Sequence, residues 1–304
     1  MGRQTSARAG GAIFASRHVD KLAIAALLRF PFWQALLFLL IAPAMAAAYP
    51  GIIESGFKSL YEARFQSARS DFLSWEAANP DDPLGYSWEA ASYLFEEFYR
   101  QGVLTSAFFD DDTRFFQGIT GKPDPGRRSG FLHAIQMAQQ LAGQRLARNP
   151  RDAAALFALT VTTGMMADYT SLIEKRQLKS LQFIRKSESY AKQLLTVEPD
   201  SPDAYLALGT ANYVIGSMPS YKRVFLWMGG IKGDKQLGMA QLAITANRGD
   251  YLRPFAKILL ALVDLRERQP SKARTQLTEL TAEFPQNPMF AHELALLDTA
   301  HARR

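Results

Sequence analysis

The side chains best suited to chemistry in this chain are acidic. Asp110, Asp111 and Asp112 stand in a row and offer oxygen ligands to a hard cation. A calcium loop, however, spaces its acids, turns on a glycine and ends in a glutamate, and Arg114 competes here for the same carboxylates. A solvated loop is expected. Glu89, Glu96 and Glu97 fall on one helical stretch, where paired carboxylates could do acid–base work. The same spacing describes a solvated helix face, and that is the expectation. The histidines, His18, His133, His292 and His301, form no H-E-x-x-H pair that would hold zinc. The absence of cysteine excludes disulfides, thiolate metal sites and a lipid-modified anchor cysteine. GGIKGDKQ, from Gly229 to Gln236, sets a lysine in a glycine-rich turn but lacks the Gly-Lys-Ser/Thr of a phosphate loop. No G-x-S-x-G elbow is present, and Ser, His and Asp form no triad-like grouping. No catalytic residue, metal or cofactor is expected, so the chain reads as a binding protein rather than an enzyme.

Residues suited to recognition are more distinctive. Phe108, Phe109, Phe115, Phe116, Tyr169, Tyr221, Phe225 and Trp227 are interleaved with Lys175, Arg176, Lys222 and Arg223. Together, aromatic and basic side chains suit protein contact or a membrane surface. They fall in three stretches, at about 101–130, 166–180 and 216–233. Tyr221, Arg223, Phe225 and Trp227 are the first candidates for partner contact, then Phe115 and Phe116. The competing expectation is that these aromatics fold back and plug the interior.

Four prolines define the elements that position those stretches. Pro80, Pro150, Pro199 and Pro285 each end an apolar-periodic segment. Twelve residues before them sit Ala68, Ala138, Ser187 and Ala273, and eight before sit Phe72, Ala142, Ala191 and Leu277. Ten residues after them come Ala90, Thr160, Gly209 and Ala295. Small residues at such spacings let two helices approach closely, and proline stops one helix before the next begins. Helix formers dominate and alternating β-branched runs are nearly absent, so the fold class is all-α. The intervals between the prolines exceed whole repeats of about 34 residues. Helical periodicity places each excess inside a helix pair, at the three stretches above. In stacked pairs such insertions gather on one edge. Asp234 is expected to cap the helix that starts KQLGMAQ, and Pro219–Met228 to form a short helix.

These residues resemble the tetratricopeptide repeat, best in DAYLALGTANY (Asp203–Tyr213) after VEPDSP, and again from Pro254 to Pro285. The resemblance covers most of the chain after residue 49 and implies a right-handed α-solenoid of paired helices A and B over 49–300. It also implies which residues of helix A face the concave groove: Leu84, Ser87, Ala91, Leu94 and Phe95; Ala154, Phe157, Val161, Gly164 and Met165; Asp203, Leu206, Thr210, Tyr213 and Val214. That groove is apolar and lacks the Lys and Asn set with which chaperone-docking members clamp a terminal carboxylate. Locally, GSMPSYKRVFLWMGGIKGDKQLG is similar to the periplasmic tetratricopeptide component associated with TRAP-type transporters, and to the eukaryotic inclusion-body-clearance tetratricopeptide family.

The N-terminus reads as a targeting segment. Arg3, Arg8, Arg17, Lys21 and Arg29 precede the apolar run Phe32–Ala42, followed by Pro43 and Ala44-Met45-Ala46. A basic segment, a short apolar core and an A-x-A site describe a secretory signal peptide over 1–46. Cleavage is expected after Ala46, with Ala48 second; uncleaved, the segment would be an inner-membrane anchor. Removing it leaves 30 basic against 28 acidic side chains, a net of about +2, which withdraws the case for nucleic acid. The expected protein is exported to the periplasm or cell envelope, where it serves as a non-catalytic scaffold or adaptor for protein partners. The alternative is a periplasmic binder of a small lipophilic ligand, partnering a transporter. Membrane-surface contact is compatible with either.

Overall fold

The computed structural model describes residues 51–109, 119, 121–220, 223, 227 and 232–302. The leader, Asp110–Asp112, Phe115, Phe116, Tyr221 and Phe225 lie outside the described residues. Among the described residues there is no strand. In order, the helices are α1 (51–61), α2 (Phe65–Ala78), α3 (Pro83–Arg100), α4 (Ser106–Phe109), α5 (Pro125–Arg148) and α6 (Ala153–Asp168). A π-turn (Tyr169–Ile173) extends α6. Then come α7 (Gln177–Val197), α8 (Ala204–Ser217), α9 (Lys235–Arg248), α10 (Arg253–Arg266), α11 (Pro270–Glu283) and α12 (Pro288–Ala302). Setting α4 aside, each helix from α2 to α12 packs on the next, which makes a solenoid of helical hairpins.

Local chemistry sets the helix ends. Asp82, Asp124, Asp152 and Asp234 accept first-turn N–H groups of Leu84, Arg127, Ala155, and both Gln236 and Leu237. The four prolines share one geometry. Each is the second residue of a tight turn closed by Asp82 N–H to Asn79 O, Asp152 to Asn149, Ser201 to Glu198 and Asn287 to Phe284, at 3.0–3.2 Å. Proline fixes φ for that position and cannot continue the preceding helix. The stretch 125–130, read as loop from its glycine and proline content, is instead the first turn and a half of α5. Asp124 caps it, and Pro125 sits where no N–H is needed.

Small residues make the crossings. Ala68, Ala90, Ala138 and Ala273 are fully buried, and Ser187 Oγ donates to Thr160 O at 2.7 Å. The tightest crossing is α8 on α9. A Cβ placed on Gly238 would lie 2.5 Å from Tyr213 N and 2.8 Å from Gly209 O. Ala295 is exposed, because no described helix follows α12 to cover it.

A simple solenoid contacts only its neighbours in sequence; this one does not. Tyr61 on α1 donates its hydroxyl to Tyr251 O at 3.1 Å, and Asn287 Nδ2 donates to Tyr61 O at 2.8 Å. Tyr61 packs on Phe284, and Phe57 packs on Tyr251 and Trp88, with ring centroids 4.9–5.4 Å apart. Phe95 on α3 meets Phe255 on α10 at 5.0 Å. The helix pairs therefore curl around α1. The first connection also folds inward: Val103, Leu104 and Ile119 are buried, and α4 packs on α10. Ile119 N–H bonds Leu172 O in the π-turn, so the first two connections meet.

Gly238→Ala is expected to lower stability by about 1–3 kcal/mol, because backbone must move to admit a methyl group. Tyr61→Ala is expected to cost about 3–5 kcal/mol, by analogy with other buried aromatic truncations. Urea titration followed by circular dichroism checks both. An unchanged midpoint for Tyr61→Ala would mean that α1 is not holding the last pairs.

A candidate binding cavity and an exposed edge

The curl leaves a cavity of about 220 Å³, partly open to solvent. Its wall runs from Phe57 and Tyr61 on α1 through Trp88, Ala91, Phe95 and Phe98 on α3. Met165 on α6, Leu206 and Tyr213 on α8, and Phe255, Leu259 and Leu262 on α10 complete the apolar part. A helical period puts Trp88, Ala91, Phe95 and Phe98 on one stripe. Leu94 is off that stripe. It is buried toward Phe131 of α5 and does not line the cavity, contrary to the groove assignment. Phe157 meets Trp88 edge-on behind the wall, with ring centroids 5.9 Å apart.

The cavity holds few polar groups, and their roles differ. Asp203, read as a groove residue, accepts the N–H groups of Tyr251 and Leu252 at 2.9 and 3.2 Å. It thereby fixes the loop that carries Tyr251. Burial raises its pKa, and those two hydrogen bonds draw it partly back. Ser180 and Ser187 donate to Ala167 O and Thr160 O. The Tyr213 hydroxyl donates to Glu267 at 3.0 Å.

Asp168, the last residue of α6, is different. It lines the cavity, and among the described residues its carboxyl has no hydrogen-bond or ion-pair partner. Desolvation alone pushes its pKa up to about 7. The side chain is half-buried and lines the cavity. Sequence reading passed over it. The available signal was that Asp168 is the only charged residue between Asp152 and Glu174.

The carboxylates that drew attention in the sequence serve packing. Arg69 holds Glu96 at 2.7 Å, and Arg127 spans Glu96 and Glu97 at 3.2 and 2.8 Å, tying α2 and α5 to α3. Glu89 faces Glu76 instead. Burial, then this neighbour, lifts Glu76 to about 8. Among the described residues no cluster of His, Asp and Glu could hold a metal ion.

The edge where the second helices of α6–α7 and α8–α9 begin is different in character. Trp227 is 61 % exposed, Leu178 82 % and Leu237 49 %. Arg223 is exposed, and its guanidinium donates to Gly216 O and Ser220 Oγ. Lys175, Arg176 and Lys232 are exposed on the same edge. Of the partner-contact candidates, Phe95, Met165 and Tyr213 meet in the cavity, whereas Arg223 and Trp227 face solvent.

No family model matches the chain. No curated protein matches it in sequence either. Among solved structures, it is similar to a thermophilic TPR protein from Thermus thermophilus, at 15% identity and a TM-score of 0.44, over 82% of this chain and 98% of that one.

The raised Asp168 pKa has a sign that can be checked. An unfolded aspartate titrates near 3.9. Folded Asp168 titrates higher, so its contribution to stability is full below about pH 4 and is lost as pH rises toward 7. Asp168→Asn is therefore expected to be more stable than wild type at pH 8, and the gap should narrow by about 1–3 kcal/mol at pH 5. Thermal denaturation at the two pH values measures it. A gap independent of pH would show that Asp168 is not desolvated.

Proposed function

We propose that this chain is a non-catalytic helical-repeat scaffold of the cell envelope that docks a protein partner through its insertion edge. The supporting observation is how far the chain's own aromatic side chains occupy the interior. Tyr61 and Phe57 are seated among Tyr251, Trp88 and Phe284 and take the place a partner helix would occupy on that part of the concave face. Docking then requires an outer surface, and Trp227, Leu178 and Leu237 supply apolar anchors on one edge. Arg223 and the lysines around them supply a basic rim. Exposed tryptophan flanked by arginine is the composition of interface hot spots. Tyr221 and Phe225 belong to the same segment and extend the proposed anchor; Phe115 and Phe116 are secondary candidates. The signal-like leader motivates placement in the envelope, with the inner membrane as the alternative fate if the leader stays.

Cross-linking and pull-down from intact envelopes should recover a specific protein with wild type. The Trp227→Ala/Leu178→Ala double variant should lose at least tenfold of that recovery while keeping its helicity. Equal recovery by both would remove the edge from the reading, and no recovery by either would remove the scaffold.

A further inference from the structure

The cavity is a better-built site than a packing defect needs to be. An engineered apolar cavity of about 150 Å³ stays dry and binds benzene. This one, at about 220 Å³, admits a somewhat larger molecule, roughly an eight-carbon chain. Its wall is mostly aromatic and aliphatic, and the Asp168 carboxyl stands in it without a partner among the described residues.

A carboxylate in a largely apolar wall without a cation is costly, and folding alone gives no reason to keep one there. The other ionic groups of the wall are engaged. Asp203 is held by two backbone N–H groups, and Arg266 has a partner of its own. Among the described residues no cation perturbs Asp168. A cation from outside would supply the complementary charge.

We propose that the cavity binds one lipophilic primary amine, with its ammonium group on the Asp168 carboxylate and its alkyl chain among Phe95, Met165, Leu206 and Leu259. The ammonium neutralises the charge that burial penalises and places up to three N–H donors at an acceptor with none. An alcohol would supply a hydrogen bond and leave the charge. A fatty acid would bring a second carboxylate into the same apolar space. The elevated pKa of Asp168 agrees with this arrangement, since the empty site favours the neutral acid and a bound cation would reverse that. The proposed amine contacts and the proposed docking anchors are different side chains, so either reading can fail without the other.

The test uses the full chain with n-octylamine as probe and 1-octanol and octanoate as controls. Calorimetry and native mass spectrometry should find one octylamine per chain, bound at least tenfold more tightly than octanoate. Asp168→Asn should lose at least tenfold in affinity for the amine and change less than twofold toward 1-octanol. Met165→Trp, which fills the cavity and leaves Asp168 in place, should lose both ligands. A diazirine-bearing alkylamine should label peptides carrying Phe95, Met165 or Leu206 in wild type, a readout independent of any variant's folding. Absence of amine binding, unchanged affinity in Asp168→Asn, tighter binding of octanoate, or labelling confined to surface peptides would each overturn the proposal.

Discussion

The structure depends on one placement, that of helix α1 inside the curl of the pairs that follow it. Tyr61 bonds the backbone at Tyr251 and accepts from Asn287, which lie 190 and 226 residues away in sequence. Stacked helix pairs by themselves leave a concave apolar face open to water, and burying that face stabilises the fold by roughly 25 cal/mol per Å² of apolar surface. Here the chain covers that face with its own aromatic side chains. Among the described residues, one core cluster accordingly runs from Ile53 to Phe290, beside three smaller local ones.

The remaining features follow from this placement. Aromatic rings and short helix turns do not fill a curved interior completely, and the remainder is the cavity beside Asp168. The first connection is drawn inward because Val103, Leu104 and Ile119 find apolar surface there. Its backbone bond to Leu172 anchors the π-turn, and a π-turn is a common way to re-aim a side chain near a functional site. The third connection finds no such room at Trp227, which stays exposed. Of the aromatics in those stretches, Tyr169 is buried and Trp227 is exposed.

Much of the repeat was legible in the sequence because its determinants are local. A proline two residues into a tight turn, an aspartate before a helix, and an alanine or glycine at a crossing each act within a few residues. Ala68, Ala138 and Gly209 could thus be placed from spacing alone. The interior was less legible because its determinants are not local. Nothing near Tyr61 announces Tyr251, and Phe57 and Tyr61 read as one more i, i+4 apolar pair of a helix. Leu94 was misplaced for a related reason. A repeat template assigns faces by position, whereas the bulky Trp88 and Phe98 claimed the inner stripe of α3 and turned Leu94 toward Phe131.

Closure also changes how such a chain should behave as a material. In an open solenoid, stability is a sum of repeat and nearest-neighbour terms, so the ends fray independently. Here α1 touches the loops that start α10 and α12, so the terminal pairs share contacts with the first helix. Loosening either end exposes the same aromatic surface, and each end therefore bears the cost of the other's opening. The entropic cost of joining residues so far apart grows only with the logarithm of the separation, about 0.6 kcal/mol for each doubling. A few buried rings outweigh it. A solenoid that makes this exchange loses its groove as a docking surface and gains an interior, and the presence of a lone acid in that interior is what gives the cavity chemical character.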